Sequence, residues 1–308
     1  MRTRIQGVFP PIATIFDASG RVDRRATADN VRQLMTTGLA GILALGSNGE
    51  AALLDEDEND AVVEAVREAV PRDRLLLVGV GRESTRHTVA AAKRAAKFGA
   101  DAVLVRTPFF FKSQMTPAAL YAHFQAVADS SPVPVLLYNL PGATGVTLTL
   151  PVVARLADHA NIVGMKETSP DLERLGQFAA VRPDRFRVLS GWAPVVYPAL
   201  AVGAAGAVLA VANVLPGECV ALYDHFRGGR HADALAIQQR ITTLAQLVTT
   251  IHGVAGLKVA LELAGFHGGS VRAPLLAAST QARDEIAAAF APWSAGAASR
   301  RAAGATRP

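Results

Sequence analysis

The sequence has a single cysteine, Cys219, among its 308 residues. One cysteine excludes an intramolecular disulfide and any metal site built from clustered thiolates. We expect Cys219 to be a small buried residue in a reducing compartment, and no apolar leader segment follows the N-terminus, so the sequence predicts a cytoplasmic protein. We identify no segment with the pattern of a transmembrane helix, which needs about 18 or more consecutive apolar residues.

Motifs for cofactors and metals are missing as well. No G-x-G-x-x-G follows the first apolar run, so the sequence lacks the sign of a dinucleotide-binding fold. The seven histidines are scattered and form neither H-E-x-x-H nor another paired spacing. We therefore predict no cofactor and no catalytic metal.

The sequence also lacks a segment in which charge of one sign is clearly clustered. The net charge is +5, but the basic residues are interspersed with acidic ones and form no clear patch, so we expect no nucleic-acid partner. Several arginines lie in the C-terminal segment 293–308, which is rich in alanine, glycine and serine and lacks apolar periodicity. This composition predicts a flexible tail.

What the sequence does contain is a repeating pattern of short Val/Leu/Ile-rich runs, each followed by an amphipathic stretch of helical length. Continuous apolar strands that alternate with helices are typical of a parallel sheet covered on both faces. Eight such runs favour a closed (β/α)8 TIM barrel over an open doubly wound sheet. The runs are GVFPPIATIF, AGILALGSNGE, RLLLVGVGR, ADAVLVRTP, VPVLLYNLPG, NIVGMKETS, FRVLSGW and GAAGAVLAV. We predict a barrel over residues 1–215 and a C-terminal helical extension over 216–292.

Active sites of such barrels form at the carboxyl ends of the strands, where this sequence places a lysine and a tyrosine. Lys166 ends an apolar run, and partial burial there favours the neutral amine, which can attack a carbonyl to form a Schiff base. Tyr138 ends the preceding run, and its phenol can serve as the acid/base. Between the second run and its helix, a glycine-bracketed turn with Ser47 and Asn48 would suit a carboxylate.

Taken together, these motifs resemble the dihydrodipicolinate synthase/N-acetylneuraminate lyase family of class I pyruvate-type aldolases. Three motifs occur in the family's order: GSNGE, LLYNLPGATG and IVGMKET. The resemblance implies that Lys166 carries the imine and that Tyr138 is the acid/base. It further implies a homotetramer or dimer of dimers that binds pyruvate and an aldehyde. The residues that it implies for substrate binding are Ser47, Asn48, Thr168, Gly191 and Ala210.

Within the family, the chain most resembles 4-hydroxy-2-oxoglutarate aldolase, which implies reversible cleavage of a 4-hydroxy-2-oxo acid to pyruvate and an aldehyde. Ala143 stands where dihydrodipicolinate synthases usually place an arginine, which counts against that reaction. A pocket lined by Phe110, Ala143 and Trp192 offers few hydrogen bonds to a polyol, which disfavours sugar acids. Both reactions remain alternatives. Arg106 and Lys112 are candidate cations for a substrate's second carboxylate.

The sequence departs from the pattern of this family at a residue of the proton relay. Family members commonly carry a relay tyrosine in the loop after the fourth strand, where this chain has Phe110. Phenylalanine cannot carry a proton, so either Ser47 and water complete the relay with Tyr138, or the chain is a catalytically weak homologue that binds 2-oxo acids. We expect the aromatic side chain to pack across a subunit contact.

Overall fold

The computed structural model describes residues 5–294 and places eight parallel β-strands at its centre. Each apolar run that predicted a strand contains one, because Val, Ile and Leu suit strands that are buried on both faces. The strands are β1 (Gly7–Phe9), β2 (Gly41–Ala44), β3 (Leu75–Gly79), β4 (Ala102–Arg106), β5 (Val135–Asn139), β6 (Ile162–Glu167), β7 (Arg187–Ser190) and β8 (Gly206–Val208).

The sheet closes into a barrel between its first two strands. Neighbouring strands pair in the order β1-β8-β7-β6-β5-β4-β3-β2, which leaves β1 and β2 at the two ends of the sheet. The Ala40 N–H donates to the Val8 carbonyl over 3.0 Å, and the Leu43 N–H donates to the Pro10 carbonyl over 3.0 Å. These hydrogen bonds join the ends, and the predicted (β/α)8 barrel with C-terminal helices is confirmed.

Helices surround the barrel, and most of the longer ones begin at a residue that caps them. The side chains of Asp23, Ser84, Thr116 and Asp171 each accept a hydrogen bond from a backbone N–H in the first turn of their helix. The helices are α1 (Arg24–Leu34), α2 (Glu56–Ala69), α3 (Thr85–Lys97), α4 (Pro117–Ser130), α5 (Pro141–Thr144), α6 (Leu150–Leu156), α7 (Leu172–Ala180), α8 (Val196–Ala201), α9 (Pro216–Arg227), α10 (His231–Gln246), α11 (Gly253–Leu263) and α12 (Thr280–Phe290).

The strands separate two apolar layers. Successive residues of a strand point to opposite faces, so in β4 Ala102 and Leu104 belong to the barrel interior, whereas Val103 and Val105 pack against the helices. The same alternation places Arg106, the last residue of β4, on the inward side at the top of the barrel. The carboxyl end of the barrel therefore carries inward-facing polar side chains above an apolar interior.

The helices after β8 pack against the barrel, and one of them contacts a turn at the carboxyl ends of the strands. Helix α9 packs beside β1, in the place of a barrel's eighth outer helix, and α11 contacts the turn that follows β2. The domain boundaries at 215 and 292 stay predictions, and the tail from 295 onward lies outside the described residues. None of the described helices is long and apolar enough to cross a membrane.

Candidate active site

Lys166 and Tyr138 are in direct contact at the carboxyl ends of two adjacent strands. The register of β5 against β6 pairs the two residues, and Lys166 Nζ donates to Tyr138 Oη over 3.1 Å. Only 4% of Lys166 and 5% of Tyr138 are exposed, so this contact is shielded from bulk water. The structure thus brings together the predicted nucleophile and the predicted acid/base.

Thr168 and Gly191 lie beside this pair. A side chain at Gly191 would place its Cβ 1.9 Å from Thr168 Oγ1 and 2.8 Å from Lys166 Cε, so only glycine leaves room for both. The Thr168 hydroxyl is buried and has no hydrogen-bond partner among the described residues. A buried hydroxyl without a protein partner is a group that can bind a ligand.

Asn139 and Glu167 fix the strand ends that carry the lysine and the tyrosine. Asn139 Nδ2 donates to Glu167 Oε2 over 2.7 Å, and Arg174 Nη2 donates to Glu167 Oε1 over 3.2 Å. The Leu148 N–H in turn donates to Asn139 Oδ1 over 2.9 Å. Because Glu167 is fully buried and adjacent to Lys166, this chain of hydrogen bonds orients the end of β6.

The GSNGE turn is bounded by two residues with unfavourable backbone conformations. Leu45 and Glu50 both have φ of 54°, and they are the only described non-glycine residues in the left-handed region. Between them Ser47–Gly49 forms a single 3₁₀ turn, and Thr14 Oγ1 donates to the Gly49 carbonyl over 2.7 Å. Such strain, which costs of order 1–3 kcal/mol per residue, persists only where surrounding contacts enforce it.

Glu50 supplies the strongest of these contacts. Its carboxylate forms a 2.7 Å ion pair with Lys258 Nζ on α11 and accepts a 2.7 Å hydrogen bond from the Arg272 N–H. Burial lowers the pKa of Lys258, while the neighbouring Glu50 carboxylate acts in the opposite direction. The C-terminal helices therefore hold the turn that carries Ser47 and Asn48.

A cavity of about 780 Å³ opens at this end of the barrel. Ser47, Tyr138 and Ala143 line it. Lys166 is not among the lining residues, but it is hydrogen-bonded to Tyr138, which is. Six other predicted residues are not among those that line the cavity: Asn48, Phe110, Thr168, Gly191, Trp192 and Ala210. Asn48 and Trp192 are half-buried, Ala210 is buried, and Phe110 is 74% exposed.

Glu83, which the sequence did not mark as a site residue, holds together one wall of the cavity. Its carboxylate accepts hydrogen bonds from Arg106 Nη1 at 2.7 Å, the Phe109 N–H at 2.9 Å and the Phe110 N–H at 2.8 Å. Burial acts to raise the pKa of Glu83, but these bonds together hold it below its ordinary value. The local sequence around Glu83 has no feature that marks this glutamate, because its hydrogen-bond partners lie at the end of the next strand and in the loop after it.

The described histidines and acidic residues were compared with the ligand sets that metal ions need. Among residues 5–294, no group of three or more His, Cys, Asp or Glu side chains is placed to hold a metal ion. Imine formation at a lysine supplies the electron sink for carbon–carbon cleavage through nitrogen, so this chemistry requires no metal.

The fold is that of a (β/α)8 barrel, and a lysine and a tyrosine meet at the carboxyl ends of two of its strands, where barrel enzymes have their active sites. The dihydrodipicolinate synthetase family model matches residues 4–291, and the chain belongs to this family. It is therefore a carbon–carbon lyase of the pyruvate-dependent aldolase type.

Individual relatives differ in their reactions. A 4-hydroxy-tetrahydrodipicolinate synthase of Xanthomonas campestris is 39% identical, over 92% of this chain and 94% of its own. A probable mitochondrial 4-hydroxy-2-oxoglutarate aldolase of Emericella nidulans is 34% identical, over 94% and 95%. Among solved structures, a prophage protein of the dihydrodipicolinic acid synthase family from E. coli K12, in complex with pyruvate, aligns with a TM-score of 0.88. It is 31% identical, and the alignment covers 94% of this chain and 98% of that one.

Proposed function

We propose that the protein reversibly cleaves a 4-hydroxy-2-oxo acid to pyruvate and an aldehyde through an imine on Lys166. The observation that carries the proposal is the 3.1 Å contact between Lys166 Nζ and Tyr138 Oη at the wall of a cavity that Ser47 also lines. An amine and a phenol in contact within a shielded strand-end site provide the nucleophile and the proton carrier that this reaction needs.

In the cleavage direction, the Lys166 amine attacks the C2 carbonyl of the substrate. The Tyr138 phenol gives its proton to the departing hydroxyl, so water leaves and the iminium and the Tyr138 phenolate form. The proton of the 4-hydroxyl leaves to the phenolate of Tyr138, and the C3–C4 bond breaks. Its electron pair moves to the iminium nitrogen, which leaves an enamine and releases the aldehyde. Tyr138 then returns its proton to C3 of the enamine, and water adds to the resulting iminium and gives a proton back to the Tyr138 phenolate. This hydrolysis releases pyruvate and restores the free lysine and the phenol.

Four further residues serve the substrate in this proposal. Ser47 and Asn48, with the N–H groups of their turn, bind the carboxylate next to the carbonyl, since turns of this kind favour anions. The unpartnered Thr168 hydroxyl binds the substrate beside the imine, and Gly191 leaves the space that this binding needs. Arranged in this way, the substrate presents its C2 carbon to Lys166.

Phe110 does not replace the relay tyrosine in this account. Its side chain is 74% exposed, and it is not among the residues that line the cavity. Ser47 and water therefore connect Tyr138 to solvent in our proposal. We also propose that Phe110 packs in a homotetramer or dimer of dimers.

The second candidate is 4-hydroxy-tetrahydrodipicolinate synthesis, which the 39% identical Xanthomonas relative favours by its name. The two reactions share the pyruvate imine and differ in the aldehyde. The discriminating experiment supplies purified protein with pyruvate and aspartate semialdehyde, and separately with 4-hydroxy-2-oxoglutarate, and follows product by mass spectrometry. Lys166→Arg is the inactive control. We expect pyruvate release from 4-hydroxy-2-oxoglutarate, whereas preferential condensation with aspartate semialdehyde would contradict the proposal.

A further inference from the structure

Arg106 lies beside Tyr138 at the top of the barrel. The two residues are register partners in β4 and β5, and both line the cavity. A Cβ at Gly81 would come within 2.6 Å of Arg106 Cγ, so the glycine provides the space through which the arginine extends. The register of β4 and β5 and the space at Gly81 thus determine where this guanidinium lies.

The guanidinium is oriented but not saturated. Glu83 accepts from Nη1 over 2.7 Å, and the Thr107 carbonyl lies 3.2 Å from the same nitrogen. Its Cζ lies 4.7 Å from the centroid of the Phe109 ring, which holds the planar group by a cation–π contact. Among the described residues, Nε and Nη2 have no hydrogen-bond partner, so two donors stay available.

We propose that Arg106 binds the carboxylate of the aldehyde half of the substrate and so selects aldehydes that carry a carboxylate over neutral ones. The inference rests on the proposed function and names the substrate class at its site. A guanidinium with free Nε and Nη2 donors matches the geometry of a carboxylate, which it can hold by two parallel hydrogen bonds. Glu83 acts as a positioning residue because it fixes the opposite edge of the guanidinium.

Other cations near the cavity are less suitable. Arg82 lines the same cavity, but its Nε and Nη2 donate to Glu56 at 2.9 and 3.3 Å. Its remaining nitrogen, Nη1, lies 3.4 Å from the Gly81 carbonyl. Lys112 lies against Gly145 and is not among the residues that line the cavity. Among the described residues that line the cavity, Arg106 is thus the cationic side chain whose Nε and Nη2 are both without a hydrogen-bond partner.

The test compares two acceptors of similar size, glyoxylate and the neutral glycolaldehyde, in condensation with saturating pyruvate. The measured quantity is the ratio of kcat/KM for glyoxylate to kcat/KM for glycolaldehyde. Loss of charge-assisted hydrogen bonds lowers this ratio by roughly 10- to 100-fold in Arg106→Gln. The ratio changes by less than about threefold in Arg82→Gln, and Arg106→Lys recovers part of it.

An unchanged ratio in Arg106→Gln, or an equal fall in Arg82→Gln, would overturn the inference. Borohydride trapping of pyruvate on Lys166 separates this failure from that of the proposed function, because imine formation precedes acceptor binding. Wild-type protein that traps pyruvate but shows no preference for glyoxylate contradicts the role of Arg106 alone. Absence of trapping in the folded wild type contradicts the proposed function itself. If Arg106→Gln is unfolded by circular dichroism, Glu83→Gln serves in its place, with a smaller fall expected.

Discussion

Lys258 forms a buried ion pair with Glu50, which joins helix α11 to the strained end of the Ser47–Gly49 turn over 2.7 Å. Only 2% of Lys258 and 3% of Glu50 are exposed. The pair connects helix α11 to the turn that we propose binds the substrate carboxylate, so it couples the stability of the fold to the geometry of the site.

We expect Lys258→Met to lower the free energy of unfolding by about 3–5 kcal/mol, because it leaves the Glu50 carboxylate buried without its charged partner. Urea denaturation followed by circular dichroism measures this change. Arg24→Met, which removes a partly exposed 3.1 Å pair with Glu64, is the control and should cost less than about 1 kcal/mol. The double variant Glu50→Gln/Lys258→Met should recover part of the loss. A loss in Lys258→Met no larger than the control's would contradict this assignment.

Gly191 leaves space for the side chains of Lys166 and Thr168. Gly191→Ala would place a methyl group 1.9 Å from Thr168 Oγ1, and displacement of the lysine by about 1 Å should lower kcat roughly 100-fold. Gly142→Ala is the matched control, since no heavy atom beyond its chain neighbours and its own helix backbone lies within 4 Å of the added methyl group. Steady-state kinetics with pyruvate and an aldehyde compare the two. Equal activity of both variants would show that the space at Gly191 does not matter.

Phe110 and Phe111 are large aromatic side chains on the surface, 74% and 67% exposed. Large exposed apolar groups commonly mark contacts between proteins. If both rings are buried between subunits, each contributes roughly 1.5–3 kcal/mol, so Phe110→Ser/Phe111→Ser should weaken association more than about 100-fold. Sedimentation velocity across a concentration series measures the assembly. The same species distribution in variant and wild type would exclude these rings from the contact.

His123 on α4 gives the protein a defined acid sensitivity. Burial, with a further contribution from the positive charge of Arg106, lowers its pKa from 6.5 to about 4. The folded state therefore binds fewer protons than the unfolded state between these values, and stability falls as the pH drops from 6.5 toward 4. At pH 5 the wild type should have lost about 2 kcal/mol of unfolding free energy from this group relative to pH 7.5.

The matched variant is His123→Gln, whose amide can still bond Thr85 Oγ1, the 2.9 Å partner of His123 Nδ1. We expect the pH dependence of its unfolding free energy to be shallower than that of the wild type by this amount. Urea denaturation at pH 7.5 and 5.0 gives the comparison. Parallel pH profiles for the two proteins would assign the acid sensitivity to other groups.

The barrel was predictable because each apolar run is a local feature that reports a buried parallel strand. Lys166 and Tyr138 were likewise predictable, since both end such runs and parallel strands bring their ends to one face. The contacts that orient the site were not. Lys258 and Glu50 are far apart in sequence, and neither residue type in its local segment indicates a buried partner.

The sequence also did not predict which residues of the loops line the cavity and which lie on the surface. Phe110 was expected near the pocket from its place in the loop, but the loop places its side chain on the surface of the single chain, and Glu83 accepts a hydrogen bond from its N–H. Asn48 and Ala210 are close to the site in sequence terms, yet neither is among the residues that line the cavity. Loop geometry of this kind depends on long-range hydrogen bonds, which no local pattern encodes.

Lys166 is the residue that we propose forms the imine. Wild-type protein incubated with pyruvate and sodium borohydride is analysed by intact mass and then by peptide mapping. We predict the added mass of one reduced pyruvate on the peptide that contains Lys166, and no addition in Lys166→Arg. A folded wild type that gains no mass, or gains it on a different lysine, would contradict the account.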